Sequence, residues 1–266
     1  MRVSVDVIVK REQKILEMLQ QQQKLSIDEI SEMFGITPSS VRRQLQDMEE
    51  KGMVTRTYKG VMLAPDWQFD EDVRSRRYLQ ISEKKAIAKK ALEYIRERDV
   101  ILLGNGTTIL EVAKQLKNRV NLIVTTTSVP VAAELYNNPG LEVQMVGGIV
   151  RPYTGSIVGP QSLRFLEGIH FNKAFIGADS ISLENGISTP NQIEVDIDRF
   201  VIEHSQKVFV LADHSKFDKV TLAHVTDLGK VDYIITDEGN DSRCVEELKR
   251  RGYPQIIEAK AELPRR

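Results

Sequence analysis

Residues 26–63 read SIDEISEMFGITPSSVRRQLQDMEEKGMVTRTYKGVML, and this stretch decides the fold of the N-terminal part of the chain. Ser26, with Glu29 three residues later, predicts a capping box at the start of a short helix. Gly35 interrupts the helical pattern and is expected to end that helix. Thr37 then predicts the N-cap of a second helix, whose first residue is a proline. Two helices therefore follow each other with a tight break between them.

The second predicted helix has one apolar face, and a hairpin follows it. The apolar residues recur at helical spacing and are expected to be buried: Val41, Leu45 and Met48. The segment 53–63 predicts two short strands that meet at Lys59-Gly60. Together with an earlier helix over 11–23, this order of elements is that of a small winged helix-turn-helix domain, to which we assign residues 1–64.

The other faces of the second helix carry polar and basic side chains that suit the major groove of DNA. An arginine in the N-terminal half of such a helix can bind guanine through two hydrogen bonds. On the hairpin, Arg56 and Lys59 are expected to contact phosphates. Double-stranded DNA is therefore the predicted partner of this domain. The DNA-reading residues predicted on the helix are Ser39, Ser40, Arg42, Arg43 and Gln46.

The composition limits the class of protein without pointing to DNA. The 266 residues are 41% hydrophobic and 28% charged, and the net charge is −1, which are ordinary values for globular domains. Apolar stretches are too short for a membrane span, the start has no secretory core, and Cys244 is the single cysteine, so we expect a cytoplasmic protein. The sequence shows no metal-ligand spacing and no nucleophile or nucleotide motif, so we predict no metal, no cofactor and no catalysis.

A polar, charged stretch over 65–82 predicts the connection to a second domain over 83–266. In that domain, helical patterns alternate with short apolar runs, which predicts an α/β fold with a mainly parallel sheet flanked by helices. The predicted strands are 100–104, 122–126, 142–148, 174–179, 207–213 and 233–237. The predicted helices are 83–97, 108–117, 129–137, 192–205 and 241–251.

Small and polar residues follow the predicted strands, at the edge where sheets of this kind bind ligands. After the strand at 100–104 the chain reads GNGTT, where the glycines allow close approach of the backbone and the helix N-terminus favours an anion. Lys216 could neutralise phosphate charge, while Asp179 and Glu194 could accept sugar hydroxyls. The site as a whole predicts a sugar phosphate. Its predicted residues are Asn105, Gly106, Thr107, Thr108, Thr126, Thr127, Gly148, Arg151, Asp179, Glu194 and Lys216.

These segments together resemble the DeoR family of bacterial transcriptional regulators over nearly the whole chain. SSVRRQLQDMEEKGMVTRTYKG is similar to the family's DNA-binding signature, and GNGTT, VTTTS, VGGIVR, FIGADSI, STPNQIE and LADHSKF are similar to segments of its effector domain. The resemblance implies a ribose-5-phosphate isomerase-like second domain, and a repressor of a carbohydrate-utilisation operon controlled by a phosphorylated sugar. Since operators commonly mirror protein symmetry, we expect a homodimer or homotetramer.

The chain departs from the family pattern at a few positions. Gln44 stands where the family usually has Asp, and Tyr58-Lys59-Gly60 replaces His-Gly-Gly. The loop Gly104 to Thr108 replaces Asp-Ser-Gly-Thr-Thr, and Asp198-Arg199 stands where Lys-Arg is usual. These departures leave the predicted fold intact and bear on operator contact and on the identity of the effector.

Two other functions fit parts of the pattern. The related fold implies a sugar-phosphate isomerase, whose chemistry needs a carboxylate base. Asp179 matches one acid of the isomerase Asp-Gly-Ala-Asp motif, but Ile176 stands where the other acid belongs, and Thr189 lies near the position of the catalytic lysine. The second alternative is a regulator whose second domain only oligomerises and binds no ligand.

Overall fold

The structure, a computed structural model, describes residues 5–22, 24–50, 53–58, 60–63, 76–77, 79–116, 119–152 and 154–260. The chain divides into two compact units, and the boundary along the sequence falls between Leu79 and Gln80. Lys59 and most of the predicted connection 65–82 lie outside the described residues. Within the described part of the chain, no helix is both long and apolar enough to cross a membrane.

The elements described in the first unit include three helices and a small antiparallel sheet in the strand order β1-β3-β2. Strand β1 is absent from the sequence prediction, because three residues give no periodic signal and the strand exists only by pairing with β3. The helices are α1 (Val5–Gln22), α2 (Ile27–Phe34) and α3 (Pro38–Glu50). The strands are β1 (Lys24–Ser26), β2 (Val54–Thr57) and β3 (Gly60–Leu63).

The predicted capping signals of this unit are confirmed by hydrogen bonds. The Ser26 hydroxyl accepts the Glu29 N–H at 3.1 Å, and the Glu29 carboxylate accepts the Ser26 N–H at 2.6 Å. These bonds to Ser26 lower the pKa of Glu29. Gly35 ends α2 in the left-handed conformation, as expected for a helix C-cap. The Thr37 hydroxyl accepts the Ser40 N–H at 3.3 Å, which makes it the N-cap of α3.

The core of the first unit joins α1 to the predicted apolar face of α3. Gln44 is also buried there, and its side-chain amide donates to the Ile8 carbonyl of α1 at 3.2 Å. A buried amide is stabilised only when it is hydrogen-bonded, so Gln44 fixes α1 on α3. The buried apolar residues are Ile15, Leu16, Leu19, Leu25, Ile30, Val41, Leu45, Met48, Met53, Val54 and Val61.

The second unit confirms the predicted parallel sheet and extends it to seven strands, in the order β15-β14-β12-β9-β4-β5-β6. All six neighbouring pairs are parallel, so the carboxyl ends of the strands share one edge. The strands are β4 (Val100–Leu103), β5 (Leu122–Thr126), β6 (Leu141–Met145), β9 (Lys173–Gly177), β12 (Val208–Leu211), β14 (Tyr233–Asp237) and β15 (Gln255–Ala259).

Helices cover both faces of this sheet, and each face has its own core. Alternate strand residues belong to different cores: Leu102 and Ile176 pack on one face, Leu103 and Phe175 on the other. On the second face the Phe175 and Phe209 rings stack at 4.8 Å between centroids. The helices are α4 (Ile81–Ala91), α5 (Thr107–Leu116), α6 (Val129–Leu135), α7 (Pro160–Leu166), α8 (Gln192–Glu203) and α9 (Arg243–Arg251).

The sequence prediction missed a second sheet and misplaced some ends. The predicted helix 83–97 ends early, because 92–94 tightens into a 3-10 turn. The predicted strand 142–148 ends at Met145. The missed antiparallel sheet has the order β10-β11-β13, and a further hairpin pairs β7 with β8. The missed strands are β7 (Ile149–Val150), β8 (Ile157–Val158), β10 (Ser180–Ser182), β11 (Gly186–Thr189) and β13 (Ala223–Thr226).

Candidate nucleic-acid interface and effector crevice

Helix α3 separates its buried residues from its predicted DNA-reading residues. Val41, Leu45 and Met48 are at most 1% exposed and face the core. Because this face is fixed, the opposite face is presented to solvent. All five predicted readers are exposed there: Ser39, Ser40, Arg42, Arg43 and Gln46.

The start of α3 is organised by a cluster of hydroxyls. The Thr37 hydroxyl lies 2.9 Å from the Ser39 hydroxyl and 3.0 Å from that of Ser40. Both serines therefore sit in the first turn, where the amides of a helix N-terminus attract an anion such as a backbone phosphate. Gln46, further along, donates to the Glu50 carboxylate at 3.1 Å.

Arg56 has a partner within the protein that sequence reasoning did not foresee. Its Nε donates to one Glu49 oxygen at 2.6 Å, and its backbone N–H donates to the other at 2.8 Å. These hydrogen bonds from Arg56 lower the pKa of Glu49. The pair ties the hairpin to α3, and a phosphate would share Arg56 with Glu49. Lys59, the other hairpin residue predicted to contact phosphate, lies outside the described residues.

The loop from Gly104 to Thr108 connects β4 to the N-terminus of α5, as predicted. The Gly104 N–H donates to the Phe175 carbonyl at 2.9 Å, which fixes the loop against β9. Thr107 and Thr108 are only 8% and 7% exposed. Among the described residues, neither hydroxyl has a hydrogen-bond partner. Two largely buried side chains at a helix N-terminus thus present hydroxyl donors that a ligand could use.

The neighbouring loops approach this one closely. A Cβ built on Gly177, at the end of β9, would lie 3.1 Å from the Asn105 carbonyl, so the two loops are in contact. After β5, the Thr126 hydroxyl accepts the Ser128 N–H at 3.1 Å. Thr127 is 5% exposed, and within the described chain its hydroxyl has no partner. Its carbonyl accepts the Ile157 N–H at 2.7 Å, which links this loop to β8.

Arg151 and Glu194 are brought together, although the sequence assigned them separate roles. The Arg151 guanidinium donates to Glu194 Oε1 at 2.7 Å, and the Ser156 hydroxyl donates to the same oxygen at 2.5 Å. The ion pair joins the β7–β8 hairpin to α8. Gly148, at the start of this hairpin, is exposed. Asp179, after β9, accepts the Thr189 hydroxyl at 3.0 Å.

Asp198 is a member of this group that the prediction of site residues left out. It lies one turn after Glu194 on α8, so the two side chains share a face. Burial, the Glu194 carboxylate and then the Asp179 carboxylate raise the pKa of Asp198 to about 8. The sequence signal for it was only the departure from the family's usual lysine.

Charged side chains also follow β12 and β14, at the same edge of the sheet. Lys216 follows Asp213, and burial of Asp213 is outweighed by Lys216 and Lys84, which lower its pKa. Lys84, on α4, is buried and was not predicted as a site residue. His214 Nδ1 lies 2.6 Å from the Asp237 carboxylate, and this hydrogen bond raises the pKa of His214.

Comparison with known proteins places both parts of the chain in one family. Residues 11–65 match the DeoR-like helix-turn-helix domain, and residues 79–238 match the DeoR C terminal sensor domain. The putative aga operon transcriptional repressor of Escherichia coli O157:H7 is 30% identical over 93% of each chain. The transcriptional repressor AccR of Agrobacterium fabrum is 34% identical over 86% of this chain and 89% of its own. The lactose phosphotransferase system repressor of Lactococcus lactis is 32% identical over 94% of this chain and 98% of its own.

Solved structures with similar folds are distant. A ribose 5-phosphate isomerase from Methanocaldococcus jannaschii overlaps 50% of this chain and 53% of its own, with a TM-score of 0.38 and 21% identity. The translation initiation factor eIF-2B of Pyrococcus horikoshii overlaps 88% and 90%, with a TM-score of 0.46 and 13% identity. Similarity at this level carries no functional argument.

Proposed function

Because the chain belongs to the DeoR family of transcriptional regulators, we propose that it represses a carbohydrate-utilisation operon and that a phosphorylated sugar controls its operator binding. One relative is named as a repressor of the lactose phosphotransferase system, which supports the sugar class. The observation that carries the effector half is the pair of largely buried threonines, Thr107 and Thr108, whose hydroxyls have no partner among the described residues. Placed at the N-terminus of α5, they suit a phosphate.

We propose that one group of effector residues binds the phosphate of the ligand and that another group binds its sugar. Asn105, Gly106 and the two threonines of the loop bind the phosphate, with Thr126, Thr127 and Gly148 beside them and Lys216 supplying charge. The wall opposite, built from Arg151, Asp179 and Glu194, binds the sugar. We divide the chain into a DNA-binding domain over 1–64, a connection over 65–82 and an effector domain over 83–266. Because a transcriptional regulator must reach the DNA, we also propose a cytoplasmic location.

The isomerase alternative is not favoured, because the family and the named relatives are transcriptional regulators. Ile176, where the second active-site acid would stand, is 3% exposed and belongs to the hydrophobic core. Thr189, near the position of the catalytic lysine, donates its hydroxyl to Asp179. A hydroxyl and an alkyl group cannot supply the proton transfer of that reaction.

Alanine at Arg42 or Arg43 is expected to test the recognition helix. If the guanidinium binds a base through two hydrogen bonds, its loss costs about 1–3 kcal/mol on the cognate operator. Lys59→Ala should instead weaken binding to cognate and random DNA by similar factors, since a phosphate contact carries no sequence information. Binding curves at one fixed salt concentration measure both. Unchanged operator affinity in both arginine variants would refute the assignment of α3.

We also propose a homodimer or homotetramer held mainly by the second domain. Strand β6 is an edge of the large sheet, and large apolar side chains are about half exposed or more at its end and just beyond: Met145, Ile149 and Val150. Exposed edges and apolar patches of this kind commonly mark association surfaces. A fragment starting near Glu83 should sediment as a dimer or tetramer at micromolar concentration, and a monomer would contradict the proposal.

A further inference from the structure

His214 is held by one buried carboxylate through two separate hydrogen bonds. Its backbone N–H donates to Asp237 Oδ1 at 2.7 Å, and its ring Nδ1 lies 2.6 Å from Asp237 Oδ2. The Asp237 side chain is only 9% exposed and ends β14, the parallel neighbour of β12, which His214 follows. Because an ionised carboxylate only accepts hydrogen bonds, Nδ1 carries a proton, and Nε2 is the ring nitrogen that gains or loses one.

The charged groups around His214 come from two strands and a helix. The hydrogen bond to Asp237 raises the pKa of His214 above the ordinary value of 6.5, and partial burial opposes this rise. The neighbouring carboxylates act in the same direction as the hydrogen bond, and they are those of Asp237 on β14, Asp213 after β12 and Glu83 on α4. Two cations, Lys216 and Lys84, act on Asp213. The ring therefore exchanges its proton within the physiological pH range.

The turn that carries His214 also carries Lys216, the residue proposed to supply charge to the phosphate. This 3-10 turn, His214–Lys216, is capped by Asp213, whose carboxylate accepts the Ser215 N–H at 3.1 Å and whose carbonyl accepts the Lys216 N–H at 3.0 Å. Two residues of chain span at most about 7 Å, which is within one Debye length at physiological salt. A phosphate bound by Lys216 therefore adds negative charge within reach of the His214 ring.

The outer edge of the imidazole is open to solvent. The His214 side chain is 42% exposed, and among the described residues its Nε2 has no hydrogen-bond partner. The ring can thus take up or release a proton without any opening of the fold. Negative charge from a phosphate favours the protonated ring, and by linkage the protonated ring favours the phosphate to the same extent.

We propose that protonation of His214 strengthens effector binding, so that a phosphorylated ligand releases operator DNA more readily at mildly acidic than at mildly alkaline pH. The inference rests on the proposed function, which assigns Lys216 to the phosphate. A histidine whose pKa is raised by folding contributes its full stabilisation below its ordinary pKa of 6.5 and loses it as the pH rises through the raised value. The affinity for a phosphate should decrease over the same pH window.

The test titrates operator-bound full-length protein with ribose 5-phosphate, galactose 6-phosphate and fructose 1-phosphate between about pH 6.5 and about pH 8.5. The concentration of an active sugar phosphate that gives half-maximal release should rise about threefold or more across this range, because the ring loses its charge. The second pKa of a phosphate monoester is about 6, so the charge of the ligand itself changes little above neutral pH. Operator affinity measured without sugar at each pH corrects for any direct effect of pH on DNA binding.

Three variants separate the charge of the ring from the fold. His214→Gln should remove most of the pH dependence, because the amide can still donate to Asp237 but never carries a charge. Asp237→Asn removes the carboxylate and should move the loss of affinity to lower pH. His224→Gln is the matched control, since His224 Nε2 lies 3.2 Å from the Asp227 carboxylate in a largely exposed pair, and it should keep the wild-type profile. Operator binding without any sugar verifies that each variant is folded.

A titration of the imidazole signals by NMR measures the proton exchange directly, with the His214 signal assigned by its loss in His214→Gln. The pKa of His214 should exceed 6.5 in the unliganded protein and rise further with the active sugar phosphate bound. If that pKa is not raised, if the half-maximal concentration does not change with pH, or if His214→Gln keeps the wild-type profile, the inference is wrong and the sugar-phosphate function stands. If none of the three sugar phosphates releases DNA or raises the melting temperature at any pH, the proposed function fails, and the inference fails with it.

Discussion

Valine at both Thr107 and Thr108 is expected to leave operator binding intact and to abolish the response to a sugar phosphate. Both residues are more than nine-tenths buried, and valine differs from threonine only by a methyl group in place of the hydroxyl. Since neither hydroxyl has a partner among the described residues, the unliganded fold loses no hydrogen bond from them. A hydrogen bond to a charged group contributes about 1.5–3 kcal/mol, so losing two raises the effective concentration of the effector roughly a hundredfold or more.

Titration of operator-bound protein with a sugar phosphate measures this effect directly. Thr125→Val is the matched control, because the Thr125 hydroxyl already donates to Gln144 at 3.2 Å and is not available to a ligand. That control should lose a little stability and keep its response. The unphosphorylated sugar should act poorly on the wild type, since it lacks the anion. If the double variant still responds at the effector concentrations that act on the wild type, the phosphate is bound outside the loop from Gly104 to Thr108.

The direction of the response is a separate part of the proposal. A ligand alters DNA affinity only if it binds two states of the protein with different affinity. By family resemblance, the effector favours the state that releases DNA. The same coupling requires that operator DNA weaken effector binding by the same factor, which calorimetry with and without operator can measure. Equal effector affinity in both titrations would contradict the switch.

The large sheet was predictable from sequence, whereas the small one was not. Strands β5 and β14 were predicted to the residue, because a strand buried on both faces gives a continuous apolar run. Strands β10 and β11 are short and consist largely of serine, glycine and isoleucine; they pair with each other in a hairpin, and β11 also pairs with the distant strand β13. Local patterns carry no information about such pairing.

The location of the candidate site could be predicted from sequence, but the contacts between its residues could not. Parallel strands place their carboxyl ends at one edge, so the loops with GNGTT, Thr126 and Asp179 could be assigned together. The ion pair between Arg151 and Glu194 joins residues 43 positions apart through a hairpin that gave no sequence signal. The pairing of Arg56 with Glu49 depends in the same way on how the wing folds back. Asp198 was noticed only as a departure from the family pattern.

Gly60→Ala is expected to abolish specific operator binding while leaving effector binding intact. Gly60 pairs with Ser26 across strands β3 and β1. A Cβ at Gly60 would lie 2.1 Å from the Leu25 carbonyl oxygen and 2.9 Å from its carbon, both of which are backbone atoms. Because no side-chain rotation relieves this overlap, β3 must separate from β1, and the capping box at Ser26 is displaced with it.

A backbone clash of this kind should destabilise the first unit by about 3 kcal/mol or more, at the upper end of overpacking effects. Operator affinity should then fall by at least about a hundredfold, as measured by gel shift at fixed salt. The increase in melting temperature caused by a sugar phosphate should persist, because the effector residues belong to the second unit. Gly229→Ala is the control, since a Cβ there meets no atom within 4 Å. If Gly60→Ala keeps an operator affinity within threefold of wild type, the first unit does not depend on the close approach of Gly60 to the Leu25 backbone.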